Sequence, residues 1–433
     1  MWPKQFTMSQ AFYTGLLGVL CVLRSLCQAA DSELCGEGLT GEQTTITCAC
    51  LSNNDTMILQ DLRISSNGNN NRSSTLPNDT MLLTVGGCHA VHLSGPTLTS
   101  LLHLHTLHLH DIDELHVSYD FFLQYETQLQ VLKLSSAGFA PLQDSLNIHA
   151  HKLSHILLDK IIWDGELNLL LQTSEDGLPE VLAITNSRIT ILGEINLSSR
   201  YVRRLVLQNN TINLVLSALM QDSQETLIEN NCIGNLSFLS LDSNTQHFTL
   251  QGNTINWLAL KSLNINTTNE IAIVNNKFFH IEKYALTWLR VSDEGGSLVF
   301  SGNHLYAHEE GSLAFYSKVI DKNHLKIESN TVHTETCDCS ALEVLDTMTS
   351  RISLKHKRLA YELFEDSSFC SDKDGKTTKF TDVCETHSRQ NTGRALLIFA
   401  IVAVSVVGLS ILLFRSRKRE VPYKTLHLLD IDE

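Results

Sequence analysis

Residues 205–212 read Leu-Val-Leu-Gln-Asn-Asn-Thr-Ile, and this stretch decides the fold. Apolar residues fill its first, third and eighth positions, and a polar residue fills its sixth. Seven copies of the pattern begin at Leu182, Leu205, Thr226, Phe248, Ile271, Leu298 and Leu325. Subtracting neighbouring start positions gives 23, 21, 22, 23, 27 and 27, which is typical of single coils in a stacked solenoid.

The sixth position indicates how the coils are joined. It holds Ser187, Asn210, Asn231, Asn253, Asn276, Asn303 and Asn330. A carboxamide both donates and accepts hydrogen bonds, so a column of asparagines predicts a ladder along the stack that satisfies the backbone of each turn. Apolar residues two apart, such as Leu205 and Leu207, point to one face of a strand and predict a continuous apolar interior.

The segments 207–212, 228–233 and 250–255 resemble the coils of right-handed parallel β-helix proteins, in which an asparagine ladder fills a tight turn. The same positions also satisfy the consensus of extracellular leucine-rich-repeat proteins. The late cysteines Cys337, Cys339, Cys370 and Cys384 are similar to the carboxy-terminal cap of that second family. β-Branched residues follow the ladder position in most copies and favour the β-helix, because strands accommodate them well.

The predicted fold class is therefore mainly β, a right-handed parallel β-solenoid with cysteine-rich caps and one transmembrane helix. A leucine-rich-repeat solenoid is the alternative. Three flat strands in each coil would indicate the β-helix, and one strand with an irregular arc would indicate the alternative. Before residue 182 the strand signal persists at Leu107, Leu132 and Ile156, but no asparagine occupies the sixth position.

Two apolar segments predict export and anchoring. Residues 1–30 resemble a cleaved secretory signal peptide. Residues 395–414 form an uncharged apolar run that is long enough to cross a bilayer as a helix. Arg415, Arg417, Lys418 and Arg419 follow directly and favour a cytoplasmic carboxyl end. The expected location is the cell membrane, with single-pass type I topology.

The remaining boundaries divide the exported part into three regions. Residues 31–90 are predicted to be an amino-terminal disulfide cap, with a glycosylated loop in the Asn- and Ser-rich tract 65–79. Residues 91–335 are the predicted solenoid repeats. Residues 336–390 are the carboxy-terminal disulfide cap and stalk, and residues 415–433 are a short cytoplasmic tail.

Cysteine usage fits an oxidising compartment, because nine cysteines remain after the signal peptide is removed. Eight of them form two clusters at the expected ends of the solenoid, Cys35, Cys48, Cys50 and Cys88, then Cys337, Cys339, Cys370 and Cys384. The pairing within these clusters is open. Cys232 is left over at a position that is polar in the other copies, which predicts an outward thiol and a candidate disulfide dimer.

Seven Asn-x-Ser/Thr sequons precede the predicted anchor, as in an exported glycoprotein. They are Asn54, Asn71, Asn78, Asn196, Asn209, Asn235 and Asn266. The net charge of −15 lies mostly in the exported part, because the tail is close to neutral. An acidic ectodomain argues against nucleic acid or anionic lipid as a partner.

A run of histidines is the strongest metal candidate in the sequence. It comprises His103, His105, His108, His110 and His116. We interpret it as a solvated outer strand face, with Leu102, Leu104, Leu107 and Leu109 turned inward. No cysteine accompanies these histidines and their spacing is not that of a usual zinc site, so no metal or other cofactor is predicted.

Catalytic signatures are not evident in the sequence. Asp293, Glu294, Glu309 and Glu310 lie in the longer repeats without an obvious basic partner, and a solvated surface explains them better than a glycan-cleaving site. No enzyme activity is predicted, and no catalytic or cofactor-binding residue is assigned. A polysaccharide-processing ectoenzyme is the least favoured alternative.

Solenoids supply extended surfaces, so the favoured function is a cell-surface recognition or adhesion glycoprotein whose ectodomain binds an extracellular protein or glycan. An endocytic uptake receptor is the alternative. It rests on Tyr423 and Leu426 in the tail, which match a tyrosine-based sorting signal.

Overall fold

A computed structural model describes residues 35–384, except for short gaps, together with residues 405, 407 and 408. The gaps are 41–42, 51–54, 61–62, 68–71, 96–100, 119–120, 122–127, 140–144, 151, 173–178, 198–200, 217–221, 293–294, 317–323 and 351–353. Outside the described residues lie the predicted signal peptide, most of the segment 395–414, the sequons at Asn54 and Asn71, and the tail with Tyr423 and Leu426. Within the described part, every helix is too short or too polar to span a bilayer.

The described chain is almost entirely strand, with two α-helices and one 3-10 turn near its end. The strands are β1 (Cys35–Thr40), β2 (Gln43–Ala49), β3 (Thr56–Gln60), β4 (Arg63–Asn67), β5 (Arg72–Thr75), β6 (Leu82–Ser94), β7 (Thr106–Val117), β8 (Val131–Phe139), β9 (Ser145–His149), β10 (His155–Asp159), β11 (Ile162–Gln172), β12 (Val181–Thr185), β13 (Arg188–Leu197), β14 (Tyr201–Gln208), β15 (Thr211–Val215), β16 (Asp222–Glu229), β17 (Cys232–Leu236), β18 (Leu241–Gln251), β19 (Thr254–Leu258), β20 (Leu263–Val274), β21 (Lys277–Ile281), β22 (Arg290–Val291), β23 (Ser297–Ser301), β24 (His304–His308), β25 (Leu325–Glu328), β26 (Thr331–His333), β27 (Phe369–Ser371) and β28 (Thr377–Lys379). The helices are α1 (Ser340–Met348), α2 (Leu354–Ser367) and the 3-10 turn Phe380–Asp382.

Between the caps, each strand pairs in parallel with its counterpart one coil away, so this part of the chain is a parallel β-solenoid. One coil shows the cross-section: residues 241–245 form the first side, 247–251 the second and 254–258 the third. We call the side that precedes the ladder residue face A (247–251 in this coil), the side that follows it face B (254–258), and the remaining side face C (241–245). Face A is continuous from β2 to β25.

Three strand segments per coil are the cross-section of a β-helix, not the single strand and arc of a leucine-rich repeat. Face C carries real strands, because residues 241–245 pair with 263–267 over their whole length. The interior is filled by stacked apolar side chains such as Phe248 and Leu250 from face A and Ile255 and Leu258 from face B. Burial of this continuous apolar column supplies the main driving force for folding.

The asparagines of the sixth position stack inside the corner between faces A and B. The Oδ1 atom of Asn231 accepts hydrogen bonds from the backbone N–H and the Nδ2 atom of Asn210, at 2.8 and 3.0 Å. The Nδ2 atom of Asn231 donates to Leu207 O and to Asn253 Oδ1, both at 2.9 Å. The same contacts repeat through Asn276 and Asn303 to Asn330, where every carboxamide is buried.

Towards the amino terminus, serine and then apolar residues replace asparagine at the ladder position. Ser187 donates its backbone N–H to Asn210 Oδ1 at 2.9 Å and places its hydroxyl 3.1 Å from the backbone N–H of Ile161. Beyond it, the equivalent buried corner positions hold Ile161, Ala137, Ile112 and Cys88. The early coils therefore close this corner by apolar contact, which is why the asparagine signal stops while the strands continue.

The fifth position of the repeat accepts any residue in the sequence pattern, but its backbone must adopt a left-handed conformation. The residue before the ladder has a positive φ in coil after coil, with Asn209 at 56°, Gly252 at 65° and Gly302 at 64°. Asparagine and glycine adopt this left-handed conformation at least cost. A Cβ on Gly302 would also meet the side-chain amide of Asn275, which is exposed and would have to turn aside.

The two long repeats insert hydrogen-bonded turns at residues 283–288 and 310–313 rather than helices. These inserts contribute buried Ala285, Leu286 and Leu313 to the interior. In the first of these coils the turn replaces most of face C, where only β22 lies between the turn and β23 among the described residues.

The amino-terminal cap closes the first coil with antiparallel strands. β1 pairs with β2, and β3, β4 and β5 form an antiparallel meander beside β6. The tract 65–79, expected to be a flexible loop, therefore supplies part of β4 and all of β5. Ile64 is fully buried, and pairing with β4 protects an edge strand that would otherwise be open.

The carboxy-terminal cap covers the last coil with α1, α2 and the hairpin β27–β28. Phe364 of α2 is fully buried, with its ring 6.0 Å from Phe300 and 6.3 Å from Phe315. β27 also extends face B by pairing in parallel with β26. The apolar end of the solenoid is thus withdrawn from water, as terminal caps of repeat proteins require.

Disulfides hold both caps, as the clustering of cysteines predicts. Cys35 pairs with Cys48 and Cys50 with Cys88 at the amino end. Cys337 pairs with Cys370 and Cys339 with Cys384 at the carboxyl end. Among the described cysteines, Cys232 is free and its side chain is exposed.

Candidate binding site at the aromatic patch and the cap cleft

The strands of face B present two neighbouring residues outward instead of one. In β19 the inward residues are Ile255 and Leu258, and the two residues between them, Asn256 and Trp257, are both exposed. The same spacing recurs in β15, β17 and β21. Face B therefore carries two adjacent outer columns, a feature that strict alternation along a strand does not predict.

Aromatic side chains concentrate on these columns in the last coils. The rings of Phe279 and Tyr306 stack at 4.8 Å, and those of Tyr306 and His333 stack at 4.0 Å. In the adjacent column, Trp257 stacks on His280 at 3.9 Å. We call these five residues the aromatic patch. Trp257, Phe279 and Tyr306 remain 39%, 43% and 36% exposed, which is unusual for large apolar residues in neighbouring coils.

Stacking determines which parts of these rings reach solvent. Tyr306 has Phe279 on one face and His333 on the other, with interplanar angles of 13° and 3°. Its faces are covered, and its hydrogen-bearing edge points outward. Trp257 differs, because His280 covers one face and the neighbouring residue on the other side is Asn235.

Two glutamates fix the second column. The carboxylate of Glu282 accepts hydrogen bonds from Trp257 Nε1 at 2.8 Å and from the backbone N–H of Leu260 at 2.6 Å. One coil later, Glu309 lies 3.2 Å from His280 Nε2 and accepts from the backbone N–H of Lys283 at 3.0 Å. The patch is held by this repeated contact and is therefore preorganised.

A cleft of about 560 Å³ opens where the patch meets the carboxy-terminal cap. It is lined by Tyr306, His308, His333, Thr334, Glu335, Thr336, Ser340, Ala341, Val344 and Lys373. One wall is the end of face B, another is α1, and Lys373 comes from the turn between β27 and β28. The disulfides of Cys337 and Cys339 fix the chain between these walls.

His308 is out of place in the repeat. It pairs with Ile281 at an inward position that holds Leu236 and Leu258 in earlier coils. Its Nδ1 atom is buried and has no hydrogen-bond partner among the described residues. A buried polar atom without a partner is costly, and such departures from a structural rule concentrate at functional sites.

Burial and neighbouring charge keep the imidazoles at this end neutral near pH 7. Burial, followed by the neighbouring His280, lowers the pKa of His308. Burial and the adjacent His304 lower the pKa of His333, and burial and Lys277 lower that of His304. A neutral imidazole has one donor and one acceptor nitrogen, so the cleft offers uncharged hydrogen-bonding groups beside Glu335 and Lys373.

The histidine run 103–116 is only partly as expected. Leu104, Leu107 and Leu109 are buried, but Leu102 is 52% exposed and Leu101 is buried instead. Residues 102 and 103 form a turn closed by the backbone hydrogen bond from Leu104 to Leu101, which removes them from the strand register. His103 and His105 therefore do not share a strand face.

The remaining histidines of this run face outward along β7. The rings of His108 and His110 lie 5.0 Å apart, and His116 stacks on His92 at 4.3 Å. In the described part of the chain, no three metal-binding side chains come close enough to hold an ion.

Two of the acidic residues singled out in the long repeats, Glu309 and Glu310, have basic partners. Glu310 Oε2 lies 2.9 Å from Lys283 Nζ, and Glu309 approaches His280. The expectation that they lack partners is wrong for these two, because partner and acid lie one coil apart and are distant in sequence. Asp293 and Glu294 lie outside the described residues.

The five sequons within the described residues and the odd thiol lie on the outer surface. Asn78, Asn196, Asn209 and Asn266 are exposed, and Asn235 is half-buried on face B. Cys232 occupies the outer column of Thr211 and Thr254, in the same strand as Asn235.

Sequence reasoning did not identify Trp257, Phe279, Tyr306 and His308 as site residues. A signal for His308 was present, because the position five residues after each ladder residue is otherwise apolar from Leu192 to Ile281. The aromatic columns had no such signal, since a pairing across coils depends on the register between strands.

Comparisons of the sequence with profiles of known protein families, with curated proteins and with solved structures find no match. The aromatic patch and the cleft are therefore interpreted from their own geometry.

Proposed function

We propose that this chain is a cell-surface recognition or adhesion glycoprotein that binds an extracellular protein. In this proposal the chain is exported by its amino-terminal signal segment and anchored by residues 395–414. The partner occupies the cap cleft and contacts the exposed edges of Phe279 and Tyr306.

The disulfides support the extracellular location. Four disulfides hold the two caps, and such bonds persist in secreted and surface proteins but are rare in reducing compartments. The outward position of the described sequons is compatible with glycans on the folded chain.

The single observation that carries the binding proposal is the position of His308. A half-buried imidazole, whose Nδ1 atom is buried and unpartnered among the described residues, replaces an aliphatic residue where the interior meets a 560 Å³ cleft. The cleft is within the size range of ligand pockets and its walls are fixed by disulfides. A group from a partner that hydrogen-bonds to this imidazole would remove the penalty of leaving it unpaired.

The stacking geometry favours a protein over a glycan as the partner. Sugars pack their C–H groups on open aromatic faces, whereas Tyr306, the middle ring of the stack, has both faces covered and presents its edge. Aromatic edges carry partial positive charge and suit carbonyl oxygens and the faces of other aromatic rings. These groups are abundant on a peptide segment.

The test uses the full-length chain on the surface of mammalian cells, probed with arrays of extracellular proteins and of glycans. A protein that binds the wild type should bind Tyr306→Ala and His308→Leu at least about tenfold more weakly, because truncation of a hot-spot side chain costs about 2 kcal/mol or more. Phe238→Ala is the matched control, since Phe238 is an exposed aromatic residue outside the patch.

If the wild type, Tyr306→Ala and His308→Leu all bind the partner equally well, this site is rejected. Capture of glycans alone, with loss in the same variants, would keep the site and replace the protein partner by a glycan. Intracellular retention of the chain without any glycan would reject the surface location itself.

A further inference from the structure

Asn235 and Trp257 are direct neighbours on the outer surface of face B. Asn235 of β17 is paired with Trp257 of β19 in the parallel ladder, one coil apart. Neighbouring strands are separated by about 4.8 Å, so the two side chains leave the surface side by side. Asn235 is the first residue of the sequon Asn-Leu-Ser at 235–237.

The indole of Trp257 is stacked on one side, and no aromatic ring among the described residues covers its other face. His280 stacks on the far side at 3.9 Å, and the ring nitrogen is tied to Glu282 at 2.8 Å. Because His280 lies one coil towards the carboxyl end, the uncovered face lies towards the coil of Asn235. The residue is 39% exposed.

The carboxamide of Asn235 provides a second, independent observation. Its Oδ1 atom is buried and has no hydrogen-bond partner among the described residues. The Nδ2 atom of the same group is where an N-linked glycan would be joined. A sugar on Nδ2 would bring hydroxyl and acetamido donors next to an acceptor that is otherwise unsatisfied.

We propose that Asn235 carries an N-linked glycan whose first N-acetylglucosamine packs on the open face of Trp257. The apolar C–H face of the sugar is attracted to the negative face of the indole. The indole is already held in position, so little conformational entropy is lost when the sugar packs on it. The inference rests on the proposed extracellular location and concerns a different part of the patch from the partner site.

The attachment is a group transfer from a lipid-linked diphosphate sugar donor. The anomeric carbon of the sugar forms a bond to Nδ2, and its bond to the phosphate oxygen of the donor breaks. The proton displaced from Nδ2 passes to a base of the transferase, and the lipid diphosphate leaves with the bonding electrons. No change of oxidation state occurs.

A glycan whose first sugar packs on Trp257 is less accessible to glycan-processing enzymes than a freely mobile glycan. The glycan on Asn235 should remain less processed, with more oligomannose forms, than the glycan on Asn266. Asn266 is the internal comparison, because its neighbour one coil later is Arg290 rather than an aromatic ring. Asn196 is a second exposed comparison.

The experiment expresses the full-length chain in mammalian cells and measures the glycan forms at each site by glycopeptide mass spectrometry. Trp257→Ala should lower the oligomannose fraction at Asn235 several-fold and leave Asn266 unchanged. Trp257→Phe retains a flat ring and should preserve most of the difference. Phe279→Ala is the matched control, because it removes a patch ring that is not the neighbour of Asn235.

The outcomes separate this inference from the proposed function. An empty Asn235 beside occupied Asn196 and Asn266 would overturn the inference and leave the extracellular location standing. Equal processing at Asn235 in the wild type and Trp257→Ala would also overturn it. Absence of glycan from every site would reject the extracellular location on which both proposals depend.

Discussion

The Oδ1 atom of Asn253 accepts hydrogen bonds from the backbone N–H and the side-chain amide of Asn231, at 2.8 and 2.9 Å. Asn253 in turn donates from Nδ2 to Ile228 O at 2.8 Å and to Asn276 Oδ1 at 3.0 Å. Each buried asparagine therefore links its own coil to the two neighbouring coils, and the next asparagine makes the same set of hydrogen bonds.

Asn253→Ala should destabilise the solenoid by about 3 kcal/mol or more, because several buried donors and acceptors lose their partner at about 1–3 kcal/mol each. Chemical unfolding followed by circular dichroism measures the change. Asn256→Ala is the control, since Asn256 is exposed on the next strand, and it should change stability by less than about 0.5 kcal/mol. Similar effects of the two substitutions would show that the ladder is not a stabilising element.

Gly302→Ala should be more destabilising than Gly375→Ala. Both glycines have positive φ, 64° and 78°, so both substitutions incur backbone strain of about 1 kcal/mol. A Cβ at Gly302 also meets Asn275 Oδ1, whereas nothing lies within 4 Å at Gly375. Asn275 is exposed and its side chain can take another rotamer, so the extra cost should be at most about 1 kcal/mol, and thermal unfolding of the two variants measures it. Equal melting temperatures would contradict the steric role of the corner.

His308→Leu should stabilise the fold by about 1 kcal/mol, because it removes an unsatisfied buried nitrogen and restores the aliphatic residue of the other coils. The same substitution should weaken partner binding. Ile281→His is the reverse experiment one coil earlier, and it should destabilise by about 2 kcal/mol or more. A His308→Leu variant that is less stable than the wild type would show that the imidazole has a structural partner.

Acidification should weaken the folded state. Burial, followed by nearby charges that include other histidines, lowers the pKa of His92, His108, His304, His308 and His333 below the ordinary value of 6.5. Between 6.5 and these lowered values the unfolded chain binds more protons than the folded chain, so stability is full above pH 6.5 and falls as the pH decreases. Urea midpoints at pH 7.5 and 5.5 measure the loss.

The pH effect has its own control in His333→Phe, which keeps a flat ring against Tyr306 and removes one titrating group. This variant should lose less stability between pH 7.5 and 5.5 than the wild type. A midpoint that is unchanged or higher at pH 5.5 in the wild type would contradict the expected direction.

After mild reduction, the thiol of Cys232 should react with a maleimide in the folded chain, because it is exposed and has no partner cysteine within the described chain. The interchain disulfide predicted from the odd cysteine should appear as a dimer on non-reducing electrophoresis and disappear in Cys232→Ser. Asn235 lies on the same strand, so a glycan there would obstruct a second chain. Asn235→Gln should therefore increase the dimer, and a monomer in both proteins would exclude dimerisation through this thiol.

Local patterns in the sequence were sufficient to predict the solenoid, its repeat length and its two disulfide caps. Residues two apart, such as Leu205 and Leu207, report the inward face directly, and the short spacing between copies of the pattern requires stacked coils. The choice between a β-helix and a leucine-rich repeat was open because the residues of face C carry a weak pattern. Ser243 and Thr245 are buried there although their side chains are polar.

The sequence by itself determined that the chain winds, because each coil must bury its own apolar residues and satisfy its own turn, and both requirements are local. The tertiary structure decided which outer side chains meet. The register between coils joins Trp257 to Asn235 and Tyr306 to Phe279, and the folding of the cap over the last coil creates the cleft beside His308. These contacts bridge residues that are a whole coil apart along the chain, where no local preference specifies the alignment.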